Sequence, residues 1–239
     1  MFLFNLLRPR KKTWPDFTRL PNPGERSVFE CIGTSGVGKS TVVGEYLRSC
    51  VRSSVLPPAT MHAHTMPGDL APGELSPAHA WLWDELIGEP QTEPEANPSQ
   101  SAHLHHVRYM IRADNLLRRS DNPTPVLLDE GIVHNGSPAI KKVRALPPTM
   151  VKAFFRNRRV IHCTTNEEHL HANLQRRKSG ANTRAHAAAA LQAYRDYAAF
   201  LIKMEVPVLE LSTHASTREK VKKIRSFLSG QPPAPAKRP

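Results

Sequence analysis

Two rhythms of apolar residues run along this chain. Short apolar runs stand at 28–32 (VFECI), 125–129 (PVLLD), 159–163 (RVIHC) and 207–211 (PVLEL), with a weaker one at 59–64 (ATMHAH). Runs of this length bounded by Pro, Gly, Asn or Asp predict strands buried on both faces. Between them lie segments suited to helices: 41–52, 103–119, 138–146, 148–155, 167–178, 185–204 and 217–228, with a short one at 77–87 carrying Trp81 and Trp83. The 103–119 segment follows the helical period only loosely, through Leu104, Val107, Met110 or Ile111, Asn115 and Leu117. Asn166 predicts an N-cap, Gly180 a helix stop, and the alanine-rich 185–204 a long helix. Prolines make loops of 66–74 and 89–101. Strands alternating with helices predict an α/β fold, a parallel sheet of about five strands covered on both faces in three layers.

The predicted domain spans 27–229. Residues 230–239 form a proline-rich tail, and 1–26 form an apolar and basic segment followed by a linker. The apolar start (MFLFNLL) precedes its charges (RPRKK), the reverse of a secretory signal. It is expected to pack on the domain or stay loose; the other reading is a weak foot of residues 1–12 on an anionic membrane.

The first strand runs into Gly33-Thr34-Ser35-Gly36-Val37-Gly38-Lys39-Ser40-Thr41, and a helix follows. Gly-x-x-x-x-Gly-Lys-Ser in that setting is the P-loop pattern. Main-chain N–H groups can wrap a polyphosphate only where the chain turns tightly without bulky side chains. The helix start adds unpaired N–H groups and its positive dipole end. Lys39 is expected to reach the β- and γ-phosphates, and Ser40 to ligate Mg2+. ATP or another nucleoside triphosphate is thus the expected nucleotide.

The 125–129 run ends in Asp129-Glu130-Gly131. Asp129 is expected to hold Mg2+ through water, and Glu130 to act as a base or to position water. The basic stretch Arg176, Arg177, Lys178 to Arg184 falls within a candidate lid, 176–186, whose arginines would neutralise a transferring phosphoryl group. A solvated helix end is the alternative for that stretch. Three activities fit these residues: a kinase-type phosphotransferase, an NTP hydrolase using the acid pair, and a non-catalytic nucleotide binder. Strand order separates the first two. The Asp129 strand should adjoin the 28–32 strand in a kinase-type sheet, whereas the usual motor-type sheet puts another strand between them.

The chain resembles the thymidylate kinase family of P-loop nucleotide kinases over most of 27–229. The glycine loop matches, as do Pro67, Gly68, Gly73 and Glu74 in the loop after the second strand. The helix with Arg176, Arg177 and Gly180 after the fourth strand also looks similar. The resemblance implies a P-loop kinase fold, ATP with Mg2+, and a small-molecule phosphate acceptor. The family's Arg-Glu before Pro-Gly is Thr65-Met66 here, its Asp-Arg is Asp129-Glu130, and its Ala-Asp-Arg is Ala113-Asp114-Asn115 with Arg112 one turn back. Those arginines would grip the acceptor's phosphate, so the resemblance does not imply thymidylate, and the acceptor stays unassigned.

The 239 residues carry 33 Lys and Arg against 21 Asp and Glu, a formal charge of +12 that favours polyanionic partners. Cations spread along the whole chain without a nucleic-acid motif argue against a dedicated DNA or RNA partner. Three cysteines without CxxC spacing fit a reducing cytoplasm. His62 and His64 share a strand face and His103, His105 and His106 share a helix start, yet no carboxylate or cysteine completes a ligand set. Trp81 and Trp83 are expected to pack, stacking on a base being the alternative. Oligomeric state, a homodimer included, is left open.

Overall fold

A computed structural model describes residues 27–53, 59–61, 75–76, 79–80, 98–119, 124–134, 148–176 and 184–230. Its strands are β1 (Val28–Ile32), β2 (Ala59–Met61), β3 (Val126–Leu128), β4 (Arg158–Thr164) and β5 (Val208–Ser212). Its helices are α1 (Lys39–Arg52), α2 (Pro98–Arg119), α3 (Pro148–Phe154), α4 (Glu167–Arg176), α5 (Arg184–Lys203) and α6 (Thr217–Leu228). The five strands form one sheet in the order β2-β3-β1-β4-β5. Every neighbouring pair is parallel, as short strands joined through helices require. This is the α/β P-loop fold that the alternation of elements predicts. β3 lies directly beside β1, with Glu30 opposite Leu128, as in the kinase-type order.

Side chains along β1 point to opposite faces in turn. Phe29 and Cys31 enter a core with Val42, Val43, Tyr46 and Cys50 of α1 and Ile224 and Phe227 of α6. Ile32 enters the opposite core, with Val107, Met110 and Ile111 of α2, Phe154 of α3, and Tyr197 and Leu201 of α5. The sheet is thus the middle of three layers, and β1 is buried along its whole length. A strand in that position must be apolar on both sides, which is why it reads as a continuous run. Glu30 is the exception, a carboxylate buried at the middle of the strand.

The helix ends follow their caps. Asn166 Oδ1 accepts from the His169 N–H at 2.7 Å, and Ser216 Oγ accepts from the Glu219 N–H at 3.2 Å, each satisfying a first-turn donor. Helix α2 begins at Pro98 rather than His103, so Pro98–Ser101 belongs to the helix and not to the loop before it. Proline's fixed φ and missing N–H suit a first helical turn, where no partner is needed anyway. The expected features at 1–26, 62–74, Trp81 and Trp83, 138–146 and 231–239 lie outside the described residues. Among the described residues no helix is long and apolar enough to cross a membrane. Cys31, Cys50 and Cys163 are free and buried.

Candidate functional site

The loop after β1 turns back over the sheet. Gly33 has φ 143°, and a Cβ there would stand 2.8 Å from the Cys163 carbonyl on β4, so no other residue fits. Val37 N–H donates to the Thr34 carbonyl at 3.2 Å, closing the turn, and Val42 N–H to the Gly38 carbonyl at 3.0 Å, opening α1. Val37's side chain is packed in the core, so only its main chain is available to a ligand. Ser35, Ser40 and Thr41 are exposed, and Gly33 and Thr34 are buried.

Lys39 is 5 % exposed. Its Nζ donates to the Gly33 and Thr34 carbonyls at 3.0 and 3.3 Å and lies 3.5 Å from Glu130 Oε1. Burial lowers its pKa, while Glu130 pulls the other way. An ammonium so far from water gains much from any anion that reaches it. Ser40 Oγ donates to Asp129 Oδ2 at 3.4 Å across 89 residues of sequence. A hydroxyl and a carboxylate brought together at the end of β3 are the hard oxygen donors that magnesium takes. The predicted Lys39, Ser40, Asp129 and Glu130 therefore converge at one end of β1 and β3.

The arginines do so only in part. Arg176 closes α4, is exposed, and donates from Nη2 to Asn173 Oδ1 at 2.5 Å. Asn173 Nδ2 donates in turn to the Gly36 carbonyl at 2.9 Å, so α4 buttresses the glycine loop. Arg177 lies outside the described residues with 178–183, and Arg184 is the first residue of α5.

Behind the acids lies a buried ion network that sequence reasoning missed. Arg158 is 2 % exposed and Glu30 is 0 % exposed, both on the α2 face of the sheet. Arg158 Nη1 donates to Glu30 Oε2 at 2.5 Å, and Nη2 donates to Asp114 Oδ1. Asp114 Oδ2 also accepts from Arg118 Nε at 3.0 Å and pairs with His79 Nε2 at 2.9 Å. Arg118 Nη2 donates to the Phe154 carbonyl. Both guanidiniums lie over the Phe154 ring, 5.6 and 5.5 Å from its centre. Asn115, which stands where the family's arginine would grip the acceptor, is an interior group like Asp114; Asn115 Oδ1 accepts from Ser76 N–H at 3.1 Å.

The second oxygen of Glu30 faces the functional end. Oε1 accepts the main-chain N–H of His134 at 2.7 Å. A Cβ on Gly131 would overlap the Glu30 carboxylate, so glycine is required at that point of the turn. His134 Nε2 lies 3.5 Å from Glu130 Oε1. Tyr194 of α5 stacks on the imidazole at 5.7 Å and 17°, with its hydroxyl 3.4 Å from Nδ1 and 3.3 Å from the His134 carbonyl. Burial first, with Glu130 and Glu30 adding to it, pushes the Tyr194 phenol up to about 12, so it stays neutral.

Burial pushes the Glu30 carboxyl up from 4.5 to about 7, against the pull of Arg158 and the His134 N–H and with the push of Asp114. Burial would raise Asp114 too, yet Arg158, Arg118 and His79 outweigh it and hold that carboxyl well below the usual range. Arg158 stays charged between them: burial opposes this, and the two carboxylates prevail. A raised carboxyl binds its proton more tightly in the folded chain. Glu30's contribution to stability is therefore full below pH 4.5 and is lost as pH rises through about 7. Urea unfolding of the native chain and Glu30→Gln at pH 5 and pH 8 checks this. The native chain is expected to lose stability relative to the variant as pH rises, and a constant difference would contradict it.

No family model matches the chain, and no curated protein matches it in sequence. Among solved structures it is similar to deoxyadenosine kinase from M. mycoides with bound dATP, at 12% identity over 84% of this chain and 99% of that one, TM-score 0.47. It is similar to a gluconokinase from Sinorhizobium meliloti 1021, at 14% identity over 89% and 94%, TM-score 0.42. It is also similar to shikimate kinase from Acinetobacter baumannii in complex with shikimate, at 14% identity over 86% and 94%, TM-score 0.42.

Proposed function

We propose that this chain is an ATP-dependent phosphotransferase of the P-loop kinase type that acts on a small-molecule acceptor. The observation that carries the reading is the meeting of the glycine loop with the acid pair, through the 3.4 Å bond from Ser40 Oγ to Asp129 Oδ2 and the 3.5 Å approach of Lys39 Nζ to Glu130 Oε1. The loop N–H groups from Gly33 to Lys39 and the start of α1 bind the β- and γ-phosphates. Lys39 neutralises them, and its desolvation strengthens that attraction. Ser40 and Asp129 hold Mg2+, which when bound screens the charge of the transferring group. Glu130 orients the acceptor or takes its proton. Arg176, Arg177 and Arg184 are assigned to the charge that develops in transfer. Positioning and electrostatics are most of what this chemistry asks of a protein.

Hydrolysis of the nucleotide by Glu130-activated water is the second reading, and the adjacency of β3 and β1 favours the kinase type over it. Titration calorimetry with Mg·ATP, followed by an ATP-consumption screen over nucleosides, nucleotides and sugars, tests the proposal. Magnesium-dependent binding and acceptor-dependent consumption are expected. No binding of any nucleoside triphosphate would remove the basis of the assignment, and consumption indifferent to every acceptor would favour the hydrolase.

A further inference from the structure

Helices α1 and α6 pack together on the sheet face opposite α2 and α5, and a groove of about 870 Å³ runs between them. Five exposed cations line it, Arg48 and Arg52 from α1 and Arg218, Lys222 and Arg225 from α6. Spacings of four and seven residues set them in one row on each helix. Among the described residues the one acid of the lining, Glu45, is taken up by Lys220 at 2.7 Å, and none of the five cations has an ion-pair partner. The other acid of α6, Glu219, lies 2.8 Å from Lys223. The helices themselves do not call for this charge. Arg52 and Arg225 suit the last turns they occupy, but like charges one turn apart oppose a helix. Arg218 stands in the first turn of α6, where the positive end of the dipole disfavours a cation. Nor do the cations serve the glycine loop: at 1.5 Å per residue, Arg48 and Arg52 stand roughly 13 and 20 Å along α1 from Lys39.

We propose that the α1–α6 groove binds the phosphodiester backbone of double-stranded nucleic acid without reading its bases. The inference stands apart from the phosphotransferase reading. Four of the five cations are arginines, whose planar forks match phosphate oxygens, and the hydroxyls of Ser49, Thr217 and Ser226 lie among them. Arginine with serine and threonine is the donor set that grips sugar–phosphate chains. Val221 is the apolar member of the lining, and among the described residues the lining holds no aromatic ring. An apolar ligand therefore finds little to bury, and the bases of a single strand find nothing to stack on. A duplex needs neither, and it presents one negative charge per roughly 1.7 Å of its axis. Two facing rows of cations receive a raised ridge of phosphates, whereas a flat bilayer would meet only their rims. The spread of cations along the sequence argued against a nucleic-acid partner. Folding removes that argument, because it sets 48–52 and 218–225, from opposite ends of the domain, along one groove.

The full chain is titrated into a fluorescently labelled DNA duplex of mixed sequence, and anisotropy is read from about 50 to 200 mM salt. Five phosphate contacts predict a slope of log K against log salt of roughly −4.5, and a duplex of unrelated sequence is expected to bind within about twofold. Arg218→Gln, Lys222→Gln and Arg225→Gln together are expected to weaken binding at least about tenfold and to leave a slope of roughly −2. Arg48→Gln with Arg52→Gln tests the facing row independently, with the slope reduced by about 2. The control is Arg156→Gln, Arg195→Gln and Lys203→Gln, three exposed cations outside the groove. It removes the same net charge and is expected to keep affinity within about twofold and the slope unchanged. Saturating Mg·ATP is expected to leave the duplex bound. Equal losses in the groove and control triples would make binding a matter of net charge alone and overturn the proposal. Displacement by Mg·ATP would place the duplex on the glycine loop and overturn it too. So would a native chain that binds no duplex at about 50 mM salt, including one that binds phosphatidylserine vesicles or polyglutamate instead.

Discussion

Lys39→Ala is expected to abolish measurable turnover and to weaken Mg·ATP binding by more than about a hundredfold, while the fold persists. Each charge-assisted hydrogen bond to a phosphate is worth about 1.5–3 kcal/mol, and two of them exceed the roughly 2.8 kcal/mol that a hundredfold represents. The fold persists because the ammonium's partners in this structure are the Gly33 and Thr34 carbonyls at the loop and the half-buried Glu130. Losing them costs little, since burial already disfavours the charge. Calorimetry with Mg·ATP and a thermal melt read both halves of the prediction. Binding that survives the substitution would mean that the glycine loop is not the phosphate site.

The largest effect on stability is expected from Arg158→Met. Its guanidinium bridges Glu30 and Asp114 inside the protein, and methionine conserves the stem while removing both donors. Two carboxylates would be left close together without their shared cation. Breaking a buried pair in this way typically costs about 3–5 kcal/mol, which in a domain of this size lowers Tm by roughly 10 °C. Glu30 would take up a proton to relieve part of the strain, so the loss should be larger at pH 8 than at pH 5. Lysine is a poor substitute, because its compact ammonium lacks the planar fork by which Nη1 reaches Glu30 and Nη2 reaches Asp114. Urea unfolding at both pH values decides the matter: a loss below about 1 kcal/mol would mean that the network does not hold the sheet to α2.

How much of this was legible beforehand depends on the range over which each residue acts. The glycine loop, the Asp129-Glu130 pair and all five strands were readable because their signals are local. Spacing fixes the loop, and an apolar run marks a strand buried on both faces. Even the adjacency of β3 and β1 could be framed as a question with two answers. The start of α2 at Pro98 was missed because proline also breaks helices, and only the tertiary setting says which. The Glu30–Arg158–Asp114 network was not legible, since its members come from three elements and each looks ordinary alone. One sign was present: a glutamate at the centre of an otherwise apolar run that must be interior. His134 and Asn173 gave no such sign. Their roles come from what the fold brings near Glu130 and Gly36.

The placement of β1 has a consequence for the newly made chain. This strand leaves the ribosome before any of its sheet neighbours, yet it ends up at the middle of the sheet. Glu30 and its cation are separated by 128 residues. At about 5–20 residues per second, translation takes roughly 6 to 25 s to deliver Arg158 after Glu30. During that interval the ionised glutamate has no cation to accompany it indoors, and burying the charge alone would be costly. The Glu30–Arg158 pair, and the β1–β4 pairing around it, can therefore form only once β4 has been synthesised.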